Sequence, residues 1–250
     1  MQNISNLLEM AFLRKAFAGA ALFMLALLPA GARNYILCVG IADYPGTQND
    51  LRLSAGDAQT IQTLYQKNGQ STVRLFQNEQ ATVAAVAAAF NELCSEAAED
   101  DAVIFFFSGH GVPGAFVCHD DFLRYDDVVS ALGRSAAKKK IIFADACFSG
   151  KARRSRRHAT AETYAQTSVL FFLSSRTNET SIENRTMKNS LFTAYLERGL
   201  RGGADTDRNR TVTAHELFRF VSEGVQQKSR QKQHPVMWGR FDNDMPLMTW

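Results

Sequence analysis

At 250 residues, 46% of them hydrophobic and 21% charged, the chain can bury a sizeable core and is neither a low-complexity nor a disordered sequence. Its formal charge of +3 is mild, and the basic residues gather at Lys138 to Lys140 and Lys151 to Arg157 instead of lining a face, so nucleic acid is not an expected partner. Four cysteines, Cys38, Cys94, Cys118 and Cys147, with no C-x-x-C pair, do not make a disulfide framework.

Arg14 and Lys15 precede an uncharged apolar run from Ala16 that ends in Ala30-Gly31-Ala32. A charged region, a hydrophobic region and a small-residue site in that order predict a signal peptide over residues 1–32, with export to the periplasm or beyond. The alternative is a retained membrane anchor, because 17 apolar residues are at the short limit of a spanning helix. A membrane is a partner only in that case.

Residues 33–250 read as one domain. Apolar runs predict strands at Tyr35 to Ile41, Thr72 to Phe76, Ala102 to Ser108, Lys140 to Asp145 and Ser168 to Ser174. Helical patterns fall between and after them, at Asp57 to Lys67, Thr82 to Ala97, Asp126 to Leu132, Ser190 to Arg201 and Ala214 to Gln227. The tail "HPVMWGRFDNDMPLM" supplies an edge strand. Near-continuous apolar strands alternating with helices predict an α/β fold, a mostly parallel sheet sandwiched between helices and joined by right-handed crossovers. The basic segment 151–163 is its most obvious surface loop.

In such a sheet the chemistry belongs at the carboxyl ends of the strands. The third strand runs through three phenylalanines into Ser108-Gly109-His110-Gly111, and the fourth ends in Asp145-Ala146-Cys147. A histidine between two glycines, just past a buried strand, sits at the rim with backbone room for a ligand. His110 and Cys147 are 37 positions apart, enough for one crossover helix, so both side chains can emerge at the same end of neighbouring strands. A free thiol is only a few per cent thiolate at neutral pH, and a nearby imidazole generates the reactive form. That pairing predicts a nucleophile, Cys147, and a base, His110, with the N–H groups of Gly111 and Cys147 as donors to an oxyanion. His119 is the nearest rival base. Cys38 and Cys94 lie in apolar patterns and read as buried small hydrophobes.

The segments "YILCVGIADYPGT", "AGDAQTI", "FFFSGHG", "DACFSG", "FLSSRTNETSIE" and "DMPL" together resemble a caspase-fold cysteine peptidase of the metacaspase-like bacterial kind, over most of the chain from Tyr35 onward. The resemblance implies a cysteine-type endopeptidase, a hydrolase of protein or peptide substrates that needs no cofactor for its chemistry. It implies His110 as general base and leaving-group acid. Asp145 stands where true caspases carry Gln, which implies a pocket for Arg or Lys before the cut, with Asp43 and Ser174 as further pocket residues. The competing role for Asp145 is to cap local backbone N–H groups. Phe148 replaces the His that follows the nucleophile in many metacaspases, and the His-to-Cys spacing is shorter than the caspase figure of about 50 residues. The Arg and Lys residues of the basic loop are what such a pocket would accept, so the loop is a candidate for self-cleavage.

Residues Asp205 to Glu216 have the order of an EF-hand loop. Asp205, Asp207, Asn209, Thr211 and Glu216 fall at positions 1, 3, 5, 7 and 12, which would suit calcium. Arg210 takes the place of the glycine whose positive φ the turn needs, and the alternative is a degenerate structural loop. For the domain itself, the alternatives to a peptidase are a non-catalytic caspase-like binding module and an acyl-transfer enzyme such as a transpeptidase.

Overall fold

Strand β1 (Asn34–Gly40) is buried from its second residue to its last, as its unbroken apolar row requires of a strand covered on both faces. The computed structural model describes residues 31–147, 168–175 and 187–250. Residues 1–30 of the expected signal peptide, the basic segment expected as a loop over 151–163 and the side chain of Cys147 lie outside the described residues. From Ala32 onward the chain forms one unit. No helix among the described residues is long and apolar enough to cross a membrane.

The main sheet has the order β2-β1-β3-β6-β7-β9. Strands β2 (Ser71–Gln77), β1, β3 (Ala102–Val112), β6 (Lys139–Cys147) and β7 (Leu170–Leu173) run parallel, and β9 (Val236–Trp238) closes one edge antiparallel to β7. The helices are α1 (Ser54–Lys67), α2 (Val83–Glu96), α3 (Tyr125–Arg134), α4 (Leu191–Arg198) and α5 (Ala214–Lys228). Helices α2 and α3 cover the face that presents Leu37, Val39, Phe105, Phe107 and Ile142. Helices α1, α4 and α5 cover the opposite face, against Ile36, Cys38, Phe106, Ile141 and Phe143. Successive residues of one strand thus serve different layers. At Gly40 a Cβ would lie 2.4 Å from the Ser54 carbonyl oxygen, so the start of α1 rests directly on β1. The layered α/β architecture is the expected one.

The differences have local causes. Strand β3 does not stop at Ser108 but runs on to Val112, because Gly109 and His110 pair with Ala146 and Cys147 while Gly111 and Val112 pair with β4. The antiparallel strands β4 (Ala115–Val117) and β5 (Phe122–Arg124) were not expected, and three residues are too few to show an alternation. The same holds for β8 (Thr211–Thr213), which forms a separate two-stranded sheet with β10 (Pro246–Thr249). Helix α4 ends at Arg198, followed by a π turn over Gly199–Gly203, where Gly202 adopts φ 102°.

Candidate active site

The parallel register between β3 and β6 sets Ser108 opposite Asp145 and His110 opposite Cys147. Ser108 and Asp145 both turn to the α1/α4/α5 side of the sheet, where they bond to Asp57 and Ser190; positions 110 and 147 pair two residues further along, at the strand ends. Two rows result, one residue pair at the rim and another about 6.6 Å deeper along the strands.

At the rim, His110 is fixed from two sides. Its Nε2 lies 2.7 Å from the Asn49 carbonyl oxygen. A carbonyl only accepts, so Nε2 carries the hydrogen and Nδ1 is left as the basic nitrogen of the neutral ring. The Tyr44 hydroxyl accepts the His110 backbone N–H at 2.9 Å and donates to the Val117 carbonyl at 3.0 Å, and its ring lies 4.8 Å from the imidazole. Burial pushes that phenol well above its ordinary range. The backbone room at Gly109 goes to this clamp and not to a ligand, since a Cβ there would come within 2.6 Å of the Tyr44 hydroxyl. Beside His110 and Gly111 opens a cavity of about 420 Å³, which Asn49, Tyr44, Val117 and the half-buried His119 also line.

In the deeper row, Asp145 is 5% exposed and accepts hydrogen bonds from the hydroxyls of Ser190 and Thr193 at the start of α4. Its carboxylate therefore meets side-chain hydroxyls from a remote element. Ser174 is fully buried beside it on the next strand end; its N–H donates to the Ala144 carbonyl at 2.9 Å, and its carbonyl accepts from Gln233 Nε2 at 3.0 Å. Asp43 is exposed on the segment after β1, with its N–H on Asn78 Oδ1 at 3.2 Å.

Asp57, which sequence reasoning left unassigned, belongs to this row. It is fully buried. Its Oδ2 accepts from the Ser108 hydroxyl at 3.0 Å, and its Oδ1 accepts from Asn189 Nδ2 at 2.9 Å and Ser190 N at 3.0 Å. Burial, and then the neighbouring Asp145, push its carboxyl up to about 7. In sequence it is an acidic residue in the first turn of a helix, which the helix dipole alone explains.

The other described cysteines are not competitors. Cys38, Cys94 and Cys118 are free and buried, and burial pushes the thiols of Cys94 and Cys118 up to about 12 and that of Cys38 further.

The EF-hand-like loop lies before and within β8 and the start of α5. Asp205, Asp207 and Glu216 bring carboxylate oxygens within 4.8 Å of one another. Arg210 does take the positive φ of the glycine it replaces, at 64°, as does Arg208 at 62°. The loop uses these oxygens itself. Asp205 accepts from the N–H groups of Asn209 and Arg210, and Asp207 from Asn209. Thr211 N–H donates to Asn209 Oδ1 at 2.7 Å. Glu216 completes a capping box with Thr213 and also binds Thr206. Its partial burial works against ionisation, but the bonds from Thr213 and Thr206 outweigh it and hold the carboxyl at about 2. A cation entering here would share its ligands with the loop's own N–H donors.

The family model of the caspase domain matches residues 33–244. No curated protein sequence matches the chain. Among solved structures, a structural-genomics protein of Geobacter sulfurreducens is similar with a TM-score of 0.65 at 17% identity, over 87% of this chain and 99% of that one. Caspase-1 of Spodoptera frugiperda is similar with a TM-score of 0.62 at 18% identity, over 87% of this chain and 89% of that one. At these identities the two structures establish the fold alone.

Proposed function

The chain belongs to the caspase domain family of cysteine peptidases, and from that premise we propose that it is a metacaspase-like endopeptidase that uses His110 and Cys147 as a catalytic dyad and cuts after Arg or Lys. The observation that carries this reading is the register that sets His110 opposite Cys147 and Ser108 opposite Asp145.

In the proposed reaction His110 Nδ1 takes the proton of the Cys147 thiol, and the thiolate sulfur attacks the scissile carbonyl carbon. The electron pair of the C=O bond moves to oxygen, where the backbone N–H groups of Gly111 and Cys147 stabilise it. The oxyanion collapses, the C–N bond breaks, and the imidazolium gives its proton to the leaving amine. Water then attacks the thioester with His110 as base, releasing the new carboxylate and restoring the thiol. The bond between Nε2–H and the Asn49 carbonyl holds the ring in the required tautomer throughout. No step uses a metal.

The Asp145 carboxylate, with Asp43 and Ser174, would receive the cationic side chain on the acyl side of the cut. A buried carboxylate that meets a cation in a low-dielectric pocket selects strongly by charge. The same specificity would admit the basic loop 151–157 as an internal substrate. Export directed by residues 1–32 would place this activity outside the cytoplasm.

Fluorogenic peptides with Arg, Lys or Asp at the cleaved position test the reading. Hydrolysis of the Arg and Lys peptides, lost in Cys147→Ala, is the expected result. A preference for Asp would overturn the pocket, and an active Cys147→Ala enzyme would overturn the dyad.

A further inference from the structure

Asp101 closes the turn between α2 and β3 and is 7% exposed. Its Oδ2 accepts the N–H of Ala98 at 2.8 Å, a local bond within the turn. Its Oδ1 accepts the backbone N–H of Arg33, 68 positions away in sequence, also at 2.8 Å. Arg33 is held from its other end too, where the Ala102 N–H donates to its carbonyl at 2.9 Å. Among the described residues no cationic side chain pairs with Asp101. Two peptide donors satisfy its oxygens but bring no positive charge, and a buried carboxylate without a cation is a costly arrangement.

Arg33 is also the residue that the pattern Ala30-Gly31-Ala32 marks as first after cleavage. A sequence pattern and a buried acceptor, independent of each other, single out one nitrogen atom. The two residues that flank the bond, Ala32 and Arg33, are exposed.

We propose that the Ala32–Arg33 bond is a processing site and that cutting it creates the missing cation: the new α-ammonium of Arg33 forms an ion pair with Asp101 that fastens the start of β1 to the turn before β3. This rests on the reading of residues 1–32 as a signal peptide and is independent of the peptidase reading. A host signal peptidase, which recognises small residues before the cut, makes it. Water adds across the amide: Ala32 leaves as a carboxylate and the Arg33 nitrogen becomes an ammonium, so atoms and charge balance at neutral pH. Ala32 carries no positive charge, so the specificity proposed for Cys147 would not make this cut.

The charged groups at this end of the sheet are Asp100 from the same turn, Lys138, Lys139 and Lys140 at the start of β6, and Arg240 and Asp242 after β9, which with Ala32 line a cavity of about 500 Å³. Lys138 is engaged with Glu99 at 2.7 Å. The other lysines, Arg240 and the Arg33 side chain work against a further ammonium, whereas Asp101, Asp100 and Asp242 favour it. An α-amino group titrates at about 8 in an unfolded chain, and the ion pair raises that value on folding. The contribution is therefore complete below about pH 8 and fades as pH rises through the folded value.

Two measurements test this. Intact mass of the protein exported from its full sequence by a bacterial host reads the cut. A chain beginning at Arg33 is expected, equally in wild type and in Cys147→Ala; one that keeps residues 1–32 or begins elsewhere overturns the processing site. Chemical denaturation reads the ion pair, on Cys147→Ala chains that begin at Arg33 or at Ala30, since the chain from Ala32 onward forms one unit. Starting at Arg33 should lower the unfolding constant about five- to tenfold at pH 6.5, the margin of a charged over a neutral donor, and the gap should close toward pH 10. In Asp101→Asn the gap should be absent at both. Equal stability at pH 6.5, a gap unchanged at pH 10, or a gap that survives Asp101→Asn overturns the ion pair. If the Asp101→Asn protein does not fold, the pH dependence of the gap between the first two chains decides the matter.

Discussion

The imidazole of His110, the base of the proposed dyad, has one nitrogen committed to the Asn49 carbonyl, and its backbone N–H is committed to Tyr44. Replacing Tyr44 by Phe removes the acceptor of the His110 N–H and the donor to Val117 together. Stranding buried polar groups costs about 1–3 kcal/mol. Tyr44→Phe should therefore melt at lower temperature and lose kcat, while KM for an Arg peptide stays near the wild-type value, because Tyr44 holds the base and not the pocket. Unchanged kcat in steady-state kinetics would refute this positioning role. The same contacts show what was legible in the sequence. His110 and Cys147 stand out because nucleophilic chemistry needs those residue types at strand ends. Tyr44 and Asp57 do not, because the atoms that define their roles are 66 and 51 positions away along the chain.

At the level of elements, α5 begins on the capping box that Thr213 and Glu216 form. Thr213→Ala should cost about 1 kcal/mol of stability and leave kcat/KM of the folded protein unchanged, as read by chemical denaturation and peptide kinetics. Glu216 carries a pH signature of its own. Its folded pKa, about 2, lies below the ordinary carboxylate value of 4.5, so its contribution is complete above 4.5 and fades as pH falls toward 2. The stability advantage of wild type over Glu216→Gln should shrink over that window; an advantage independent of pH would contradict the assignment. The metal spacing was readable from sequence, whereas the capping use of Glu216 was hidden because one carboxylate satisfies both patterns. The long strands and helices were legible from their apolar periods. The pairs β4–β5 and β8–β10 were not, since a three-residue strand gains its identity only from its partner.

For the whole molecule, the basic segment 151–157 falls between β6 and β7 in the sequence, and those two strands are hydrogen-bonded neighbours inside one sheet. Leu170 and Phe172, after that segment, share a core with Ile141 and Phe143, before it. Self-cleavage anywhere from Lys151 to Arg157 should then give two chains that stay together, separating only under denaturant, with Cys147→Ala remaining one chain by intact mass. A wild-type protein active on Arg peptides yet uncut would end the self-processing proposal. The two-row register has a further consequence, for the way this site tolerates changes of length. Deleting one residue within β6 would turn positions 145 and 147 toward α2 and α3 and bring alanines to the chemical side, with composition barely altered. Deleting two would restore the facing but displace both rows by about 6.6 Å. Insertions and deletions in β6 are therefore filtered first by whether they are odd or even.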